Sequence, residues 1–333
     1  MTKPSGRSLP ELIQAFFTQW LEEQRHVSPN TRASYRDTFR LLLGFLEQRT
    51  GRPPAQQGLT DWEAPALVAF LDHLEHQRHC QPCSRNIRLA ALRSFMRYVA
   101  QQEPSALAWA QRILAIPLKR HDRRLLGFLT PAEVEAILAA TDPTPSGRRD
   151  HLLFHLLYRT GARISEALGL QRQDLLWQPR ALVQLHGKGR KQRLIPLNPA
   201  LTAELKAHLA SRPIEPTALI FSNRWGEALT RSGIEKRLGR TVQKALRQCP
   251  SLKGRSISPH TFRHACAMHL LQADVDITLI ALFLGHESPC TTHRYIELDM
   301  QLKEQCLKKL PALNTKPTRF KPSDRLLAFL EDL

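Results

Sequence analysis

The stretch from Ser258 to Met300 gathers side chains suited to handling phosphate: His260, Arg263, His286 and Tyr295. A guanidinium presents a planar fork of donors that matches two phosphate oxygens. An imidazole titrates near neutrality and can take or give a proton. A phenol is a covalent nucleophile once deprotonated, but with a free pKa of about 10 only about 0.1% is phenolate at neutral pH. Ser258-Pro259 has the form of a helix cap with proline in the first turn. That puts His260 and Arg263 on one face of a turn whose free N–H groups attract anions. Asp276 reads as the cap of a second helix, stopped by Gly285 with His286 directly behind it.

Two upstream features carry related chemistry. In Gly161-Ala162-Arg163-Ile164-Ser165-Glu166, a helix would set Arg163 and Glu166 on one face. The pair reads either as a surface ion pair or as an arginine steadied by its glutamate and aimed at a ligand. Ala181–His186 and Lys191–Leu197 alternate like two strands, with Gly187-Lys188-Gly189 as the turn. Lys188 then sits at the tip of a hairpin, either solvated or able to enter a groove.

The elements that must position these residues fall into two groups. Before position 103, four helices are expected. The first follows Ser8, with Leu12, Ile13, Phe16, Phe17, Trp20 and Leu21 at helical spacing. The second opens at Ser28-Pro29, presents Tyr35, Phe39, Leu42, Leu43 and Leu46, and ends at Gly51. The third buries Leu67, Phe70, Leu71 and Leu74. The fourth is expected to turn Ile87, Ala90, Ala91, Phe95 and Val99 inward and Arg85, Arg88, Arg93 and Arg97 outward. Such a basic face suits backbone phosphates, although each arginine alone reads equally as a solvated surface residue. From Glu103 to Gly127 the pattern loosens, and Pro104, Pro117 and the run Lys119–Arg124 read as a basic interdomain linker. Thr130-Pro131-Ala132-Glu133 is a capping box that opens a second domain. There, helices over about 148–159, 201–209 and 230–246 accompany the hairpin, with a short edge strand at Ala218–Phe221. Arg231 and Lys236 lie on the 230–246 helix, and Arg190 and Lys191 flank the hairpin turn.

Charge points to the partner. The 333 residues carry 48 Lys+Arg against 30 Asp+Glu, a formal net charge of +18. A field of that sign favours a polyanion. No apolar run approaches the roughly 20 residues needed to span a bilayer, and the N-terminus lacks an apolar signal core. The expectation is a cytoplasmic, nucleoid-associated protein whose six cysteines are reduced thiols. His76, His79, Cys80 and Cys83 include a C-x-x-C spacing, but no second ligand pair follows nearby and the segment falls at the junction of the third and fourth helices, so zinc is not expected there.

Arg163, Lys188, His260, Arg263, His286 and Tyr295 match, in type and order, the six active-site positions of the tyrosine recombinase (phage integrase) family. The local contexts TGARISEALGL, HGKGRKQRLIPL, SPHTFRHACAMHLL, LGHESP and TTHRYIEL match as well. SPNTRASYRDTFRLLLGFL and SRNIRLAALRSFMRYV resemble the family's helical core-binding domain. The resemblance covers about residues 9–310 and is closest to the short bacterial Xer-like recombinases, leaving no room for the arm-site domain of lambda-type integrases. A long linker and a long C-terminal tail favour a transposon- or genomic-island-borne relative over a chromosome-dimer resolution role.

The resemblance implies a mainly α fold with a small antiparallel β-sheet. An all-α core-binding domain (1–103) and an α+β catalytic domain (128–313) would be joined by a linker (104–127) and form a C-shaped DNA clamp. A C-terminal tail (314–333) with a short amphipathic helix would follow. Tyr295 is then the nucleophile, His260 the proton acceptor or phosphate ligand, and Lys188 the general acid. Arg163, Arg263 and His286 hold the phosphate oxygens, and Glu166 supports Arg163. DNA contacts are expected from Arg85, Arg88, Arg93, Arg97, Arg190, Lys191, Arg231 and Lys236. The chemistry conserves energy in a 3′-phosphotyrosyl bond, so no metal, ATP or other cofactor is expected. Partners would be duplex DNA with an inverted-repeat site, three further copies in a synaptic tetramer through the C-terminal segment, and possible sister recombinases. The alternatives are a type IB topoisomerase-like enzyme and a non-catalytic DNA-binding accessory protein.

Overall fold

The structure, a computed structural model, describes residues 7–120, 127–187, 191–210 and 215–286. Lys188, Arg190, Tyr295 and the C-terminal tail lie outside the described residues. The chain divides into two compact units, Met1–Arg124 and Leu125–Leu333.

The first unit is helical among its described residues. Helix α1 (Leu9–Ala15) starts where the Ser8 N–H donates to the Glu11 carboxylate at 2.8 Å, and it continues as a π-helical segment, Phe16–Gln24. Helix α2 (Pro29–Thr50) is capped by Ser28, which accepts from the Thr31 N–H, and it stops at Gly51 in the left-handed region. Helices α3 (Ala64–His76), α4 (Pro82–Gln102) and α5 (Leu107–Leu114) complete it. Phe16, Phe39, Trp62 and Phe95 are fully or almost fully buried together, with Phe95 centred 5.3 Å from Phe16 and 5.2 Å from Phe39. Rings at this spacing add edge-to-face attraction to the area they bury.

Two expectations fail here. Residues 104–127 are not linker throughout. Leu107–Leu114 is a helix whose Ala110 and Ile113 join the same core, followed by Ile116. That segment packs on α4 alongside α2 and α3, and together they cover the face of α4 taken to be free. Arg85 is 7% exposed and lies 3.7 Å from Glu75. Arg88 donates to the Ser34 carbonyl and the Thr38 hydroxyl, and Arg93 to the Ile116 carbonyl. Among the four, only Arg97 is exposed. The inward set is Leu89, Ala91, Leu92, Phe95, Met96, Tyr98 and Val99, whereas Ile87 and Ala90 face outward. A guanidinium at the end of a long apolar stem can be buried when backbone carbonyls satisfy it.

The second unit is built on a hydrophobic core that joins helices to a small sheet. Helix α6 (Pro131–Ala139) opens on the capping box of Thr130 and Glu133. Helix α7 (Pro145–Thr160) ends at left-handed Gly161, and α8 (Ile164–Leu168) follows. Strands β1 (Leu175–Leu176), β2 (Leu182–His186) and β3 (Gln192–Pro196) form an antiparallel sheet in the order β1-β2-β3. Val183, Leu185 and Ile195 turn into the core. Helices α9 (Pro199–Ala210), α10 (Arg231–Ala245), α11 (Pro259–Gln272) and α12 (Ile277–Leu284) follow. Phe154 of α7 stacks on Phe262 of α11 at 5.7 Å. The expected edge strand at Ala218–Phe221 is absent as a strand. Leu219 makes one isolated bridge to Gln171, and the carbonyls of Pro216 and Ala218 accept from the turn at Gln173 and Arg172. Among the described residues no helix is long and apolar enough to cross a membrane.

Candidate active site

Glu166 is the centre of the arrangement. Its side chain is 3% exposed, so its carboxylate requires partners. It has four. The Arg163 backbone N–H donates to Oε2 at 2.8 Å, because Arg163 is the N-cap of α8 and Glu166 closes the capping box. Arg163 Nη1 donates to Oε1 at 2.8 Å. Arg193 Nη1 and Nη2 reach Oε1 at 3.1 Å and Oε2 at 2.7 Å, a fork-on-fork pair. Burial pushes the Glu166 pKa up, but hydrogen bonds from Arg193 and from the Arg163 backbone outweigh it, so the carboxyl titrates below its ordinary value.

The three arginines of the cluster also share one anchor. Arg193 Nε donates to the Phe283 carbonyl at 3.1 Å, Arg263 Nη2 to the Leu284 carbonyl at 2.7 Å, and Arg163 Nη2 to the Gly285 carbonyl at 3.2 Å. These are successive carbonyls at the C-terminus of α12. Helix ends leave carbonyls without intrahelical donors and carry partial negative charge, so cations are stabilised there. Arg263 is 1% exposed, and its Nη1 donates to the Gly161 carbonyl at 2.6 Å, tying the end of α7 to the end of α12. Gly161 and Gly285 permit this approach. Both are left-handed, at φ 58° and 65°. A Cβ on Gly161 would lie 2.3 Å from Leu284 Cδ2, and one on Gly285 would lie 3.1 Å from Arg193 Nη1.

The imidazoles complete the cluster. His260 stands in the first turn of α11 and packs edge-on to His264, with ring centres 4.5 Å apart. Although its side chain retains solvent exposure, desolvation, followed by the positive fields of His264, Arg263, Arg163 and Arg231, pushes its pKa down to about 4. His286 follows Gly285, and its backbone N–H donates to the Ala281 carbonyl at 3.0 Å. Desolvation and then Arg263, Arg163, Arg193 and His260 push its pKa down to about 4 as well. At neutral pH both rings are uncharged beside three guanidiniums. Cys266, on α11, has its thiol pushed up to about 12 by burial and is an inert neighbour. The arrangement can take an anion with divergent oxygens while leaving a neutral imidazole free to accept a proton.

The structure therefore draws Arg163, Glu166, His260, Arg263 and His286 into one cluster. The hairpin narrows at Gly187, whose N–H donates to the Lys191 carbonyl at 2.7 Å. Lys191, Arg231 and Lys236 are exposed, and Arg231 pairs with Glu235 at 3.0 Å. Arg193 was missed by sequence reasoning. The signal for it was the alternation in Gln192–Pro196: Arg193 shares a face with inward Ile195, pairs across from inward Leu185, and so needed a buried partner.

Comparison with known proteins identifies the family of the chain. Residues 14–103 match the phage integrase N-terminal SAM-like domain, and residues 127–301 match the phage integrase family. The chain is 45% identical, over the whole length of both proteins, to y4rC of Sinorhizobium fredii, an integrase/recombinase by name. It is 35% identical to the tyrosine recombinase XerC of Rhodospirillum centenum, covering 85% of this chain and 82% of that one. Its fold is similar to that of the XerH site-specific recombinase bound to palindromic difH DNA after cleavage, with TM-score 0.66, 23% identity, and 90% and 87% of the two chains covered. With both domain matches in order and a full-length relative at this identity, the chain belongs to the phage integrase family of tyrosine recombinases.

Proposed function

We propose that this protein is a site-specific recombinase that cuts and rejoins duplex DNA at an inverted-repeat site through a phosphotyrosyl intermediate. The observation that carries the reading is the pair of guanidiniums, Arg163 and Arg193, held on Glu166, with Arg263 anchored on the Leu284 carbonyl, beside two neutral imidazoles. The scissile phosphate sits against Arg163 and Arg263, whose forks match its non-bridging oxygens as they gain charge. His286 donates a further hydrogen bond to the same group. The Tyr295 phenol attacks phosphorus, and a Tyr–O–P bond forms while the P–O5′ bond breaks. The phenolic proton passes to His260, which is neutral and able to take it. Lys188 protonates the departing 5′-oxygen. Rejoining is the reverse, with a 5′-hydroxyl attacking the phosphotyrosine, so the bond energy is retained.

A nicked suicide duplex carrying the protein's recombination site tests the reading. It traps a covalent adduct because the freed 5′ end diffuses away. An adduct on the wild type that is lost in Tyr295→Phe is expected; an adduct that survives the substitution refutes the assignment. Recombination joins two duplexes, so four protomers act together, linked through the C-terminal segment. Deleting residues after Pro311 should weaken synapsis more than single-site binding in gel-shift titrations, and an equal loss in both would contradict the link.

A further inference from the structure

Among the described residues, one group of ligating side chains lies outside the phosphate-facing cluster. His151 and His155 are one turn apart on α7, and Glu204 is on α9, which packs against it. Their ligating atoms all lie within 4.8 Å of one another. His155 Nδ1 is 3.1 Å from both Glu204 oxygens, and His151 Nε2 is 3.8 Å from Glu204 Oε2. Around a tetrahedral ion with bonds of roughly 2.1 Å, ligand atoms stand about 3.4 Å apart. The two measured separations bracket that spacing.

The orientation of His151 fits such a site. Its Nδ1 lies 3.0 Å from the Leu138 carbonyl, which turns Nε2 toward the Glu204 carboxylate. A carbonyl holding the far nitrogen of a histidine is also how metal-ligating imidazoles are fixed in orientation.

We infer that His151, His155 and Glu204 form a binding site for a divalent transition metal of the zinc class. Two nitrogens and one oxygen suit Zn2+ and disfavour Mg2+ or Ca2+, which prefer all-oxygen shells. The side chains of His151 and Glu204 are each 35% exposed, so an ion can enter without unfolding. Thr141, Arg148, His151, Glu204 and His208 line an adjoining cavity of about 720 Å³ that leaves room for water in the remaining position. The ion would tie α7 to α9. The far end of α7 is Gly161, whose carbonyl holds Arg263, roughly 15 Å along the helix from His151. The site shares no residue with the phosphate-facing cluster, so the metal braces the domain and takes no part in strand cleavage.

The test uses the full chain stripped with a chelator. Zn2+ is titrated in competition with a chromophoric chelator, and Co2+ binding is followed by absorption. We expect one Zn2+ per chain with submicromolar affinity, a rise in melting temperature on Zn2+ addition, and Co2+ d–d bands without a thiolate charge-transfer band. Glu204→Gln, which keeps volume and hydrogen bonding to His155, and His155→Ala should each weaken Zn2+ binding at least roughly 100-fold. Binding no tighter than about 0.1 mM, equal affinity in either variant, or a thiolate band from the Cys80–Cys83 region overturns the inference. In the first case the three residues are ordinary His–carboxylate ion pairs.

Discussion

Replacing Arg193 by methionine isolates the contribution of the residue that joins Glu166 to α12. The substitution keeps an apolar stem of similar length and removes three hydrogen bonds: two to Glu166, at 3.1 and 2.7 Å, and one to the Phe283 carbonyl at 3.1 Å. Removing one partner of a buried ion pair costs about 3–5 kcal/mol because a charge is left behind. Glu166 would retain both Arg163 donors, so the cost falls somewhat below that range, at about 2–3 kcal/mol. For a domain of this size each kcal/mol shifts the melting temperature by about 2–4 °C, giving a drop of about 4–12 °C. Arg163 would also lose its constraint, since Glu166 would no longer be held from its other side. Misplacing a phosphate-binding group by an ångström can slow a reaction about 100-fold, so the rate of covalent adduct formation should fall by about 10–100-fold. Thermal melts and suicide-substrate kinetics measure the two effects. A double-mutant cycle with Glu166→Gln separates the pair from general disruption, because the double variant should be less destabilised than the sum of the singles. A melting temperature within about 1 °C of wild type, together with an additive cycle, would refute the reasoning.

Acid should destabilise the protein in two stages. His260 and His286 have ordinary values of 6.5 and folded values of about 4, so between those pH values the unfolded chain binds more protons and stability falls as pH falls. Below 4.5, Glu166 and Glu133, whose folded values are lowered, add a second loss; melts of His286→Asn and Glu166→Gln should flatten the first and second stages respectively. A bound phosphate favours the charged imidazoles, so affinity for DNA measured by gel shift should rise as pH is lowered below about 6 toward the free value of about 4. Gly161→Ala places a Cβ 2.3 Å from Leu284 at a left-handed φ, and denaturant unfolding should show a loss of about 2–4 kcal/mol. Arg97→Ala should reduce the salt dependence of DNA binding by about one counterion, whereas Arg88→Ala, which empties bonds to Ser34 and Thr38, should lower stability and leave that slope unchanged.

Much of the fold was legible because its signals are local. Ser28 and Gly51 bound α2, Thr130 and Glu133 open α6, and Asp276 and Gly285 bound α12 where their chemistry says they should. The errors came where the outcome depended on a distant segment. The face of α4 could not be assigned without knowing how α2, α3 and the 107–116 segment close over it, and the three arginines read as outward were claimed by Glu75, Thr38 and the Ile116 carbonyl. At the candidate site, residue types and order were readable, and so was the Arg163–Glu166 pairing through its three-residue spacing. The contacts of Arg263 with Gly161 and Leu284 were not, since both acceptors are backbone atoms that any sequence supplies.

That last property has a consequence for how the protein can change over generations. The carbonyls of Phe283, Leu284 and Gly285 belong to the main chain, and no exchange of side chain can delete them. The exposed side chains of α12, Leu279 and Leu282, are therefore open to drift while the grip on the three arginines persists. Vulnerability narrows to whatever sets backbone direction at the end of the helix, above all Gly285, which stands against Arg193. Divergence can rewrite the exposed face of this helix without having to rebuild the charge arrangement beneath it.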